Sequence, residues 1–400
     1  MKSLKIFSLI LCVSFLLISC LQEIELKNSE LETFLVVEST LTSEYKFQKV
    51  KLSRTLELDS ITPIAELNAL VVIKDDSNNS FNFTETNNGI YISDIKFQAE
   101  INKNYTLEIT TNKGRIYNSK PEKIVGVNEI NSIEATLGTK PNGDEGIRIF
   151  VNSNTSNKEA KYYRYEYEET YKIIAPYWSN YKLEITNDVW PDFEVNKVVN
   201  NEENKICYKT LKSSSIIQTE TAKLSENNVN FSILFLDKNN FKISHRYSIL
   251  MTQYVQSLEA YTYFKTLKKI SGNQGIFTQN QPGLIPGNIF SISDTNEKVI
   301  GFFEVASVSK KRYFFNYIDY YPNDEVDYVS NCKTIAPDLF SANSYSHRSP
   351  LIDALRINYI YYLDNGAPTT SNTGSSLLVP KVCGDCTVLG SNVKPTFWID

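Results

Sequence analysis

Short runs in which apolar and polar residues alternate one for one restrict this chain more than any other feature. In NYTLEITT, Tyr105, Leu107 and Ile109 alternate with Thr106, Glu108 and Thr110. A helix would scatter these apolar residues around its circumference, whereas a strand gathers them on one face. Val50 and Leu52 alternate likewise with Lys49, Lys51 and Ser53, and FLVVESTLT, ALVVIKD, SFNFTET, GIYISD and RIYNS repeat the theme between polar turns. About seven such runs between Phe34 and Tyr117 predict an immunoglobulin-like or transthyretin-like β-sandwich over residues 33–125.

KPEKIVGVNEI, with Pro121 and Gly126, reads as a hinge into a larger β-rich unit over 126–400. There Pro141-Asn142-Gly143-Asp144 marks a turn between two strands. AKYYRYEYEETYKI places Tyr163, Tyr165 and Tyr167 on one strand face and Arg164, Glu166 and Glu168 on the other. NFSILFLD and RYSILMTQYVQ add further strands. One packed helix is expected at about 257–271. Ser257 can cap it, Glu259 suits its positive end, and Ala260, Tyr263, Phe264, Leu267 and Ile270 form one stripe before Gly272 stops it. No period repeats along the chain, which argues against a propeller or solenoid. The fold class is therefore mainly β.

The amino terminus supplies an address. Lys2 and Lys5 precede a short apolar run, Ile6 to Ile18, that ends in Leu17-Ile18-Ser19-Cys20 and resembles the bacterial lipobox. Residues 1–19 are read as a signal peptide, Cys20 as the lipidated residue and 20–32 as a linker. Several acyl chains on one cysteine hold a folded domain at a membrane where one chain would hold it only marginally. No later stretch is apolar for long enough to span a bilayer, so an anchored protein is expected. Glu23, Glu25, Glu30 and Glu32 follow the cysteine and resemble the acidic signal that sends some bacterial lipoproteins to the cell surface, although Leu21 and Gln22 intervene; the resemblance implies the outer-membrane surface over the periplasmic face.

Loss of Lys2 and Lys5 with the signal takes the net charge from -5 to -7, and no basic run remains to hold phosphate. Nucleic acid is thereby excluded as a partner. With Cys12 removed and Cys20 acylated, Cys207, Cys332, Cys383 and Cys386 remain. Cys383 and Cys386 flank Gly384-Asp385. A zinc site would want further ligands at recognised spacing, and His245 and His347 offer none. A redox pair would be weakened by the neighbouring Asp385 and by the turn-rich tail that follows. An oxidising compartment favours structural disulfides. The expected clamp joins Cys332 to Cys383 or Cys386, closes a loop of roughly fifty residues and contributes about 3–4 kcal/mol.

Two clusters are candidate sites. PYWSNYKLEITNDVWPDF holds Tyr177, Trp178, Tyr181, Trp190 and Phe193, whose rings could stack on a glycan or grip a peptide or protein. YIDYYPNDEVDY holds Asp319, Asp324, Glu325 and Asp327, hard oxygen ligands suited to calcium or, as an acid and base pair, to a glycoside. The EF-hand spacing is absent, so a solvated acidic loop is the expectation, with no metal or cofactor beyond the lipid at Cys20. No Gly-x-Ser-x-Gly elbow, Walker loop or His-Glu-x-x-His helix occurs, His245 pairs with no nucleophile, and no catalytic residue is assigned.

The stretch from Glu259-Ala260-Tyr261 onward is more specific. Gly275-Ile276-Phe277, Pro282, Gly287-Asn288-Ile289, Val299-Ile300-Gly301-Phe302-Phe303, the Cys-x-x-Cys, Gly390, Lys394-Pro395 and Phe397-Trp398 occur in order. Together they resemble a Bacteroidota lipoprotein family known only as a domain of unknown function, commonly encoded beside TonB-dependent outer-membrane receptors. The resemblance offers no catalytic residues. It implies a non-enzymatic envelope lipoprotein that works with a receptor in substrate capture or uptake. A surface glycan hydrolase and a structural or adhesive surface protein are the alternatives.

Overall fold

The computed structural model describes residues 33–55, 63–272, 285, 287–325, 328–342, 347–361 and 376–400. The signal, Cys20, the linker to residue 32, Gly275-Ile276-Phe277, Pro282 and Asp327 lie outside the described residues.

The first strands are β1 (Leu35–Thr42), β2 (Lys49–Arg54), β3 (Ile64–Ala65), β4 (Leu70–Asp75), β5 (Ser80–Asn87), β6 (Ile90–Ser93), β7 (Tyr105–Thr110) and β8 (Ile116–Ser119). They bury alternate residues as their patterns require: Tyr105, Leu107 and Ile109 point inward with Leu35, Val37, Val50 and Leu52. The next strands are β9 (Ile130–Thr139), β10 (Glu145–Thr155), β11 (Tyr162–Ile174), β12 (Tyr181–Asn187), β13 (Glu194–Val199), β14 (Ile206–Lys212), β15 (Ile217–Glu220), β16 (Asn227–Asp237) and β17 (Arg246–Gln256). Helix α1 (Leu258–Gly272), β18 (Ile289–Ser291), β19 (Val299–Asn316), α2 (Pro350–Arg356), β20 (Tyr359–Tyr361), β21 (Leu378–Pro380) and a short α3 (Lys381–Gly384) complete the order. The chain is mainly β, as expected.

One sheet links nearly everything, in the order β14-β11-β17-β19-β1-β2-β6-β5-β4-β7-β8-β18. Its spine is β19. The first half of β19 pairs in parallel with β1, from Leu35 opposite Val299 to Thr42 opposite Ala306. Its second half pairs antiparallel with β17, from Val255 opposite Ser307 to Arg246 opposite Asn316. Ile289, Val299, Phe303 and Val305 therefore complete the first core, although they come from the 126–400 segment expected to form a separate unit. Period-two patterning shows which face a strand buries and is silent on which strand lies beside it.

The first unit is sandwich-like because its sheet curls until the two ends almost meet. Asn288 bridges the gap. Its side-chain amide accepts from Phe303 N at 2.8 Å and donates to Phe303 O at 2.9 Å, as a neighbouring strand residue would. The backbones must approach closely here: a Cβ on Gly287 would lie 1.6 Å from the carbonyl oxygen of Gly301, which itself sits at φ +141°.

In the second unit a separate sheet, β16-β10-β9, lies over β11 and β17. Ile147, Ile149 and Val151 of β10 share that core with Tyr163, Tyr165, Ile249 and Met251. Tyr163 and Tyr165 are inward on a shared face as expected, and Arg164, on the opposite face as its alternation requires, is buried too. Helix α1 is the reason. It packs Ala260 and Tyr263 against Phe302 and lays Phe264 5.0 Å from the Arg164 guanidinium. Ser257 caps it as read, its Oγ accepting from Ala260 N at 3.1 Å.

Burying Arg164 requires a counter-charge, and Glu304 of β19 provides it. The Glu304 side chain is 1% exposed, and its Oε2 accepts from Arg164 Nη2 at 2.8 Å and from Thr40 Oγ1 at 3.0 Å. Gln256 Nε2 donates to Oε1 at 2.6 Å. Glu166 and the ring of Tyr254 enclose the other side of the guanidinium. Removing one partner strands the other in low dielectric. Arg164→Ala should therefore cost about 3–5 kcal/mol in urea unfolding, and Arg164→Leu combined with Glu304→Leu should cost less than either single change.

Nearby, Glu122 lies between Asn288 Nδ2, at 3.1 Å, and Ser257 Oγ, at 3.4 Å. Burial raises its pKa from the usual carboxylate range to about 7; the two hydrogen bonds oppose the rise, while the negative charges of Glu259 and Glu304 add to it. The folded chain thus holds this proton more tightly than the unfolded chain does. The associated stability is complete below about pH 4.5 and is lost as pH rises through about 7. Glu122→Gln should match the parent at pH 4 and exceed it by about 1–3 kcal/mol at pH 8, measured by denaturant unfolding at both pH values.

Candidate functional site

The end of β19 at Asn316 carries a third, smaller lobe. Tyr171 pairs with Tyr247, which pairs with Phe315, so the last residues of β11 reach this end of the sheet. Ile174 pairs with Ile206 of β14, and residues 175–205 between them leave the sheet as an excursion built on the β12–β13 hairpin. Leu183, Phe193 and Val195 of that excursion pack on Leu351, Ile352 and Leu378 of α2 and β21.

Two disulfides fasten the lobe. Cys332 joins Cys383 and Cys207 joins Cys386, with Cα separations of 5.8 and 5.6 Å. The first is one of the two pairings expected from the sequence. The second ties the tail to β14. The intervening Asp385 turns the chain, its Oδ1 accepting from Thr387 N at 2.9 Å. Tyr177 N donates to Cys383 O at 3.0 Å, and Cys386 N donates to Asn204 O at 2.9 Å, so tail and excursion are also laced through the backbone.

The five aromatic residues singled out from the sequence do not form one strip, although Phe193 does meet Trp190. Trp178 turns inward, packs on the second core and donates from Nε1 to Asn204 Oδ1 at 2.7 Å. Tyr177 is half-buried at the staple. Tyr181 opens the hairpin, 39% exposed, with the Lys197 ammonium 4.3 Å over its ring. Trp190 lies at the far tip, 41% exposed, with its ring stacked on His347 at 4.9 Å and edge-on to Phe193 and Phe340. Asp188 beside it pairs with Arg356 of α2. Phe340, His347 and Arg356 are far from Trp190 in sequence and show no pattern linking them to it, so sequence reasoning did not include them. Exposed Val189 and Ile185 extend the apolar surface along the hairpin. A groove of about 300 Å³ runs between hairpin and tail, lined by Tyr181, Lys182, Glu202, Tyr359, Lys381 and Asp385.

The acidic loop borders a second, wider cleft of about 600 Å³ with Lys172, His245 and Asp400. Its carboxylates have local work. Asp319 Oδ2 accepts from Asn316 N at 3.0 Å and caps the turn after β19. Asp324 pairs with Lys238 at 2.8 Å. Glu325 lines the cleft, and Asp327 is outside the described residues. Burial, helped by Lys172, holds the His245 pKa below its usual value, so the ring is neutral at physiological pH. Among the described residues no three His, Cys, Asp or Glu side chains converge as a metal site would require. Also among them, no helix is long and apolar enough to cross a membrane.

A family model described as "Domain of unknown function (DUF4249)" matches residues 22–312. The chain belongs to that family. The DUF4249 match takes in the first unit, α1 and most of β19, including Asn288, Arg164 and Glu304, and ends before the Cys332–Cys383 staple. No curated protein matches the chain. A solved structure with some likeness is that of a DUF4785 family protein from Legionella pneumophila subsp. pneumophila str. Philadelphia 1, at 9% identity and a TM-score of 0.18. The likeness covers 54% of this chain and 51% of that one, so the chain spans about half that protein's length; a likeness of this size carries no argument.

The staples should govern the lobe more than the sheets. Peptide mapping without reductant should recover 332–383 and 207–386 linked pairs. By loop-closure entropy the 332–383 bridge contributes at most about 4 kcal/mol and the longer 207–386 bridge about 5 kcal/mol. Cys332→Ser with Cys383→Ser should expose the 181–199 hairpin to limited proteolysis while β1–β8 stay protected; equal protection throughout would show the bridge to be dispensable.

Proposed function

We propose that this DUF4249 protein is a lipid-anchored outer-membrane accessory subunit that presents its stapled lobe to a TonB-dependent receptor and assists substrate capture or uptake without chemistry of its own. The Bacteroidota setting and the receptor partner come from the resemblance of its ordered motifs. The observation that carries the reading is the rigid, partly exposed aromatic tip around Trp190 at the end of β19 remote from the chain's entry. Residues 33 and 34 lie beside Val299, where β19 begins, whereas the lobe lies beyond Asn316. A strand of 18 residues spans on the order of 55 Å. A tether at one end and an aromatic platform at the other suit capture at a distance from the bilayer.

Exposed Trp and Tyr on a preordered scaffold are the side chains that most often dominate a protein interface, because they cover large area at little entropic cost. The hydrolase alternative gains less support, since Asp319 serves as a cap and Asp324 as an ion-pair partner. An adhesive role would use the same surface and is separated by experiment. Purification from detergent-solubilised native membranes should bring a β-barrel receptor with the chain, and Trp190→Ala combined with Tyr181→Ala should lower receptor recovery about tenfold with lipidation unchanged. Recovery of the parent solely as a free monomer would overturn the assignment. Loss of cell attachment without loss of receptor would favour adhesion.

A further inference from the structure

Among the described residues, the end of the first unit where the chain enters exposes several apolar side chains. Thr33 O accepts from Arg54 Nη1 at 3.2 Å, and Phe34 exchanges hydrogen bonds with Thr55 through both its N and its O at 3.0 Å. The entering chain is thus fixed to the rim formed by β2 and β3. Around that rim the ladder places one row of side chains on the outer face: Leu70 opposite Thr110, Thr110 opposite Ile116, and Ile116 O accepting from Ile292 N at 2.8 Å. Their neighbours Val71, Ile109, Tyr117 and Ser291 point inward and are buried. The outward row is not: Leu70 is 71%, Ile116 41% and Ile292 51% exposed, and Ile64, Leu67 and Phe290 are exposed near them. Exposed Lys113 and Arg115 sit on the adjoining turn.

This rim is braced from within. Arg54 Nε meets Glu66 Oε2 at 2.6 Å, and Glu297 Oε1 accepts from Tyr117 Oη at 2.6 Å and from Arg115 Nη1 at 2.7 Å. The apolar row therefore lies on a surface braced by the pairs Arg54–Glu66 and Arg115–Glu297. A second exposed apolar set, Tyr45, Phe47, Ile95 and Ile101, marks the opposite end of the same unit. β1, with 8 residues, separates the two by roughly 25 Å. The chain arrives at the first end and not the second, so a tether from Cys20, at most about 45 Å when extended, delivers the Leu70 rim to its anchor without doubling back along β1.

We propose that the rim carrying Leu70, Ile116 and Ile292 is a bilayer-contacting face that rests on the lipid surface beside the anchor and stands β19 away from the membrane. Aliphatic side chains at the interface with basic residues at their margin match the chemistry of peripheral membrane contact, and the single row fits shallow seating rather than insertion. The proposal rests on the tether at Cys20 from the function reading, and its test supplies that tether independently.

With the other cysteines paired, Cys20 of the chain from residue 20 onward can be coupled to a maleimide phospholipid in vesicles of phosphatidylethanolamine and phosphatidylglycerol containing brominated lipid. Leu70→Trp, Ile116→Trp and Ile101→Trp chains are compared with the parent, so that the emission of Trp178, Trp190 and Trp398 is subtracted. The added tryptophan at 70 and at 116 should lose most of its emission, and that at 101 should keep it. Quenching at 101 equal to that at 70, or none at 70, would overturn the proposal, including the outcome in which the rim instead docks on a receptor and stays clear of lipid. Melting curves identify any variant that fails to fold, and Ile292→Trp then replaces it. Mass spectrometry of Cys20 from native membranes separately tests acylation, so failure of the anchor and failure of the orientation give different results.

Discussion

Glu304 and Arg164 carry opposite charges where water scarcely reaches, and the arrangement of the molecule follows from where that pair must sit. Glu304 lies in the half of β19 bonded to β1, opposite Thr40; Arg164 belongs to β11, two strands away across β17. Neither charge is tolerable alone in that environment, so the pair discriminates against any packing that separates first unit from second. Gln256, Thr40 and Glu166 satisfy the remaining polar atoms on the carboxylate and one arm of the guanidinium. Helix α1 then seals the site with Phe264.

The same strand resolves two further demands. A sheet that curls leaves edges whose N–H and C=O groups need partners, and Asn288 supplies both from one amide. A lobe proposed to dock through exposed aromatics gains from being stiff, because less entropy is then lost on docking. That lobe has a small core, and disulfides from Cys207 and Cys332 into the tail take over much of its support. Spine, closure and staple thus set one axis, with chain entry at one end and the Trp190 platform at the other.

The legible part of this fold was the part governed by neighbours in sequence. Tyr105, Leu107 and Ile109 sit inward as their alternation requires, α1 begins one residue after its Ser257 cap, and Cys332 bonds one of its two anticipated partners. The candidate site was half legible. Trp190 and Tyr181 are exposed and Phe193 meets Trp190, yet Trp178 serves the core and the other aromatic partners of Trp190, Phe340 and His347, come from a distant segment. Arg164 lies on the face its alternation requires, but its burial was not legible, because alternation cannot see a helix arriving on the second face of a strand.

From its order of residues alone, the chain determined its β character, the inward face of most strands, the place of its helix and the pool of cysteines available for bridging. These depend on side-chain period and local capping, which act over a few residues. Only the tertiary structure decided that residues 289–305 complete the first core, that Arg164 is buried, and that the apolar Leu70 rim and the aromatic tip occupy opposite ends of one strand. Each of those outcomes joins segments more than a hundred residues apart, where pairing is selected by complementary shape and charge in three dimensions and leaves no periodic trace in the sequence.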